Sequence, residues 1–79
     1  MQKTKRIILQ CLMKHPADRS KLRMYFSLVG IATNPDTLMS HLSSLLKYDC
    51  IKESGGIYSI TKGGRELERL LTEVDKLIK

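Results

Sequence analysis

Along residues 3–14 apolar side chains recur at Ile7, Ile8, Cys11 and Leu12, spacings that line one side of a helix. Thr4 is placed to cap its start. His15-Pro16 ends it, because the residue before a proline avoids helical backbone. A second helix is predicted over about 19–29, capped by Asp18, with Leu22, Tyr25, Phe26 and Val29 turned inward. Gly30 suits the left-handed position that closes a helix, and Ile31 then drops toward the core. The third helix runs from Pro35 to Lys47. Asn34 caps it, Pro35 fills the first position, where its missing N–H costs nothing, and Asp36 puts negative charge at the positive end of the helix dipole. Leu38, Leu42, Leu45 and Leu46 form its apolar stripe. After residue 50 the period changes. Ile51-Lys52-Glu53 and Ile57-Tyr58-Ser59-Ile60 read as short strands around a Ser54-Gly55-Gly56 turn. A lone hairpin is marginal in water, so this one must lie against the helices. Thr61 caps a last helix with Gly63 and Gly64 in its first turn. Leu67, Leu70, Leu71, Val74, Leu77 and Ile78 give that helix an apolar stripe of two heptads.

The pattern describes one domain over residues 1–79, mainly α with a β-hairpin (α+β), with residues 62–79 as a long C-terminal helix. A chain of 79 residues buries only about 60–65% of its unfolded surface, so its core is small and a partner subunit would matter. Charge is uneven. Of 14 Lys+Arg and 8 Asp+Glu, residues 1–23 hold seven bases (Lys3, Lys5, Arg6, Lys14, Arg19, Lys21, Arg23) and one acid, Asp18. The remaining seven bases and seven acids cancel, so the net +6 resides in the first 23 residues. A basic block of this kind suits a polyanion. Cys11 and Cys50 do not make a disulfide framework and read as buried small hydrophobes. The apolar run Ile7 to Met13 is short, is broken by Gln10, and is followed by no small-residue cleavage site, so it is not read as a signal peptide. No stretch is long enough to span a bilayer. A cytoplasmic, intracellular protein is expected.

The second and third helices, joined by a short Gly-containing turn, have the layout of a helix-turn-helix. With them in place, the stretch Thr37-Leu38, His41-Leu42, Leu45-Leu46, Ile51 and Gly55 to Gly63 resembles winged helix-turn-helix transcription regulators, most closely the small archaeal and archaeal-virus ones. Tyr58-Ser59-Ile60-Thr61-Lys62-Gly63-Gly64 is similar to the end of their wing and the opening of their last helix. The resemblance covers nearly the whole chain. It implies three helices, a two-stranded wing, a long last helix and sequence-dependent binding of double-stranded DNA. It departs from the family at Asp49, where glycine is usual at the bend before the wing; Asp tolerates the left-handed backbone such a bend uses.

In a helix-turn-helix the N-terminal part of the second helix of the motif meets base edges in the major groove. That nominates Asn34, Thr37, Ser40, His41 and Ser44 for base contact. Serine and threonine discriminate bases weakly, and this helix has no Arg for a bidentate guanine contact, so modest specificity is expected. Lys5, Arg6, Arg19, Lys21, Arg23, Lys47 and Lys52 are the candidates for the DNA backbone. Enzyme chemistry is not expected. His15 and His41 have no metal-ligand spacing to each other or to the cysteines, neither Gly-Gly pair matches a phosphate loop, and Glu66, Glu68, Glu73 and Asp75 read as an ordinary solvated helix face. No metal, cofactor or small-molecule ligand is implied. The first part of the last helix must cover the core; Val74, Leu77 and Ile78, left exposed beside Leu70 and Leu71, would form an apolar patch, and either a homodimer through Leu67, Leu70, Leu71, Val74, Leu77 and Ile78 covers it or the helix folds back fully onto its own domain. The competing class is a winged-helix protein–protein interaction module that does not bind DNA.

Overall fold

A computed structural model describes residues 3–78; Lys79, the expected final residue of the last helix, lies outside them. The elements run α1 (Lys3–Lys14), α2 (Arg19–Leu28), α3 (Pro35–Lys47), β1 (Ile51–Ser54), β2 (Ile57–Ile60) and α4 (Lys62–Ile78). The fold is α+β, four helices and one antiparallel hairpin. Ile8, Leu9, Leu12, Leu22, Phe26, Leu38, Leu42 and Ile51 make the centre of one core, with Cys11, Cys50, Tyr58 and Ile60 at its edge.

Each boundary follows from local chemistry. Asp18 Oδ1 accepts from the N–H of Lys21 at 2.8 Å, and Asn34 Oδ1 accepts from Thr37 at 2.8 Å, so both caps form as the sequence predicts. Thr4 instead lies inside α1, which begins at Lys3. Two helix ends close alike. At α2, Gly30 (φ 76°) donates to Ser27 and Ile31 to Phe26. At α3, Asp49 (φ 59°) donates to Leu46 and Cys50 to Leu45. Both are Schellman closures, the second with aspartate in the left-handed position. The hairpin turn is tighter than the sequence suggests. Ser54 belongs to β1 and pairs with Ile57, leaving Gly55 and Gly56, both at positive φ, as a two-residue turn.

β2 is also held on its other edge. Ala17 and Tyr58 exchange both backbone hydrogen bonds (3.0 and 2.8 Å), so the loop after α1 adds a short third rung to the hairpin. This, with packing on α1 and α3, answers how so small a hairpin is stable.

Two inward assignments are corrected. Val29 and Leu46 are exposed rather than buried, because each sits at or beside a helix end, where the chain turns away and covers it only in part. The larger correction concerns α4. Its seat on the domain is partly polar: beside Gly64 and Leu67, which meet the core, it includes a charged side chain. Buried Glu68 lies against α1, its Oε2 3.5 Å from Arg6 Nε and its Oε1 accepting from Gln10 at 3.4 Å, while Arg6 also pairs with Asp75. Glu68 and Asp75 are therefore not a solvated face; they fix the rotation of the helix. The apolar stripe is turned sideways by this seat. Leu67 and Leu71 are half-buried, but Leu70 is 52%, Val74 47%, Leu77 85% and Ile78 78% exposed.

Gly64 makes the seat possible. A Cβ there would come within 2.0 Å of the Cys50 carbonyl oxygen and 2.8 Å of Ile60 Cγ1. Gly64→Ala gains helix propensity of up to about 1 kcal/mol. The clash is with backbone, which cannot swing away, so overpacking wins at about 1–3 kcal/mol. A lowered urea midpoint is the expected result; a raised midpoint would show that α4 is not seated this closely.

Candidate nucleic-acid interface

The leucines of α3 fix what its remaining sides present. With Leu38, Leu42 and Leu45 buried, Ser40, Ser43 and Lys47 point directly outward and are exposed. Thr37, His41, Ser44 and Tyr48 follow at spacings of four, three and four along one flank. Met39 and Leu46 lie along the other, where Arg19 Nη1 reaches Met39 Sδ at 3.3 Å. Of the residues nominated for base contact, Asn34, Thr37 and Ser40 are exposed, and His41 and Ser44 are half-buried. The side-chain oxygen of Asn34 is engaged as the helix cap, leaving its amide nitrogen to meet a ligand. Ser43 and Tyr48, outside the sequence-based expectation, are exposed on this surface as well. Ser43 was discoverable, since it stands one turn from Ser40 and Lys47.

Bases border α3. Arg19 and Arg23 line a cavity of about 270 Å³ with Pro35, Leu38 and Met39 at its N-terminal end. Lys47 closes its C-terminal end, and Lys52 is exposed on β1. Lys21 is exposed on α2, and Lys5 is half-buried on the α1 side, close enough to influence His41. Arg6 is placed differently. Its guanidinium is held charged chiefly by its hydrogen bond to Asp75, and it faces α4. At the hairpin, Glu53 accepts from the Gly56 N–H at 2.8 Å, so the acid next to the tip is turned back onto the turn. Asp36 remains exposed in the first turn of α3 as a negative charge.

Burial pushes the His41 imidazole below its ordinary pKa, and the positive charge of Lys5 acts in the same direction. The folded chain therefore binds this proton more weakly than the unfolded chain. The stability it contributes is complete above the unfolded value of 6.5 and is lost as pH falls through the lower folded value. His41→Gln should flatten this part of the decline in urea midpoint between pH ~7 and pH ~5. An unchanged slope would remove His41 as its source.

Burial raises the thiol pKa of Cys11 and of Cys50, keeping both as neutral thiols. Among the described residues no three His, Cys, Asp or Glu side chains gather as a metal ion would require, and no helix is long and apolar enough to cross a membrane. No family model, curated protein or solved structure matches the chain.

Proposed function

We propose that this chain is a small winged helix-turn-helix regulator of transcription that binds double-stranded DNA as a homodimer. In this reading α2 and α3 are the helix-turn-helix, α3 enters the major groove, and the β1–β2 hairpin is the wing beside the DNA backbone. The observation that carries the reading is the surface of α3. It is a helix of short hydrogen-bonding side chains with Arg19 and Arg23 at one end, Lys47 at the other and Lys5 along its flank. Hydroxyls and an imidazole can meet base edges, and the bases around them can meet phosphates. The seat of α4 supports the second copy, because it leaves Leu70, Val74, Leu77 and Ile78 exposed on one side of a helix.

The division of labour is testable by band shift on a panel of duplexes. Ser40→Ala and His41→Ala should alter preference at single base pairs by about 1–3 kcal/mol. Arg19→Ala and Arg23→Ala should weaken all duplexes alike. If the two pairs of variants behave identically, α3 does not lie in the groove. A second reading, an interaction module that leaves DNA alone, draws on the same exposed stripe; it requires that the wild type retain no duplex at physiological ionic strength.

A further inference from the structure

We infer that Tyr48 is a DNA-backbone contact, its phenolic hydroxyl donating to a phosphate where the recognition helix meets the wing. The inference rests on the DNA-binding reading above. Of the three tyrosines, Tyr58 is buried in the core and Tyr25 is half-buried with the Lys14 ammonium 5.3 Å from its ring centre. Tyr48 is 71% exposed, and among the described residues nothing bonds its hydroxyl. A tyrosine usually places its polar tip against a partner while its ring supplies area, and this one offers both to solvent.

Its position gives that partner a chemistry. Tyr48 continues the flank of Thr37, His41 and Ser44 beyond the last turn of α3. The 13 residues of α3 span about 20 Å, and the major groove is about 12 Å wide. With its first turns at base edges, the helix has reached the phosphate wall by its C-cap. The neighbouring exposed cations, Lys47 before it and Lys52 at the start of the wing, match a negatively charged strand. Tyrosine hydroxyls are among the neutral groups that meet phosphate oxygens there.

The contact is also preset. The Tyr48 N–H is bonded to Ser44 at 3.1 Å, and Asp49 N–H to Leu46 at 3.1 Å. From the other side Thr61 Oγ1 donates to the Asp49 carbonyl at 2.6 Å. The backbone carrying the ring is thus tied to α3 and to the start of α4, so only the side chain itself has to be ordered on binding.

The test uses the full chain and one duplex series. Tyr48→Phe keeps the ring and removes the hydroxyl. It should weaken duplex binding about tenfold, as loss of a hydrogen bond to a charged group implies. The loss should be equal across sequences and should leave the slope of log affinity against log salt unchanged, because no cation is removed. Lys47→Ala, by contrast, should reduce that slope by about one. Thermal midpoints of Tyr48→Phe and Tyr48→Ala should match the wild type, since the side chain packs on little. A wild type that binds duplexes while Tyr48→Phe binds them as tightly overturns this inference alone. Loss confined to one sequence, or loss that follows a lowered midpoint, overturns it too. A wild type that binds no duplex overturns both this inference and the reading beneath it.

Discussion

Raising salt from ~50 to ~200 mM should weaken binding of duplex DNA by one copy of the chain about 10³-fold. The number comes from the bases free to meet phosphates. Lys5, Arg19, Lys21, Arg23, Lys47 and Lys52 are six, each displacing close to one counterion from the duplex. Arg6 is left out, although it belongs to the same basic block, because Asp75 and Glu68 already neutralise it. Arg6→Ala should therefore leave the salt slope unchanged while loosening α4. A flat response to salt, or no retention at the lowest salt, would end the DNA-binding reading. A slope near that of seven or more contacts would mean that Arg6 leaves α4 when DNA binds.

Replacing Leu70 and Leu77 together with glutamate should turn a dimer into a monomer at tens of micromolar protein. Leu77 is almost fully exposed and Leu70 half-exposed, so the substitution removes little packing within one copy. It puts four carboxylates, two from each copy, where two helices of about 25 Å would meet. A buried unpaired charge costs several kcal/mol, more than a seam of two heptads can absorb. On a duplex with two half-sites the variant should also lose the gain of joined binding, about 10²–10⁴-fold, while binding a single half-site as before. Sedimentation equilibrium decides the first point, over a range of concentration because the association is a mass-action equilibrium. A monomeric wild type, or a double variant that still pairs, removes α4 as the interface.

Those two experiments probe features that were unequally visible in the sequence. Asn34-Pro35-Asp36 announced the start of α3 because capping is chemistry between neighbours. Gly30, Asp49 and Gly55-Gly56 marked their bends for the same reason, since a left-handed backbone is a local requirement. Period gave the apolar stripe of α4 but not the direction in which it faces. That direction is set by Gly64, where a side chain would strike Cys50, and by Arg6 reaching Glu68 and Asp75 from more than sixty residues away. The seven-residue spacing of Glu68 and Asp75 was the available sign, and it reads equally well as a wet surface. At the candidate interface the outward residues of α3 could be named from its leucines. The partial burial of His41 and Ser44 could not, because it depends on tertiary neighbours such as Lys5 of α1, which lies near His41. Tyr48 lies one residue beyond the helix, and its side follows from its N–H still bonding Ser44 rather than from any apolar period.

The joint between α3 and α4 has a consequence for how the two proposed surfaces communicate. Thr61 bonds the Asp49 and Cys50 carbonyls through its hydroxyl and its N–H, and Gly64 rests against the same Cys50 carbonyl. The helix offered to DNA and the helix offered to a second copy are thereby pinned to one joint of four residues, Asp49, Cys50, Thr61 and Gly64. Linkage then acts in both directions. Whatever factor DNA adds to self-association, self-association must add to the affinity for DNA. A joint of this kind makes that factor depend on geometry, so a symmetric operator with base pairs inserted at its centre would lose the mutual reinforcement while each half remained intact.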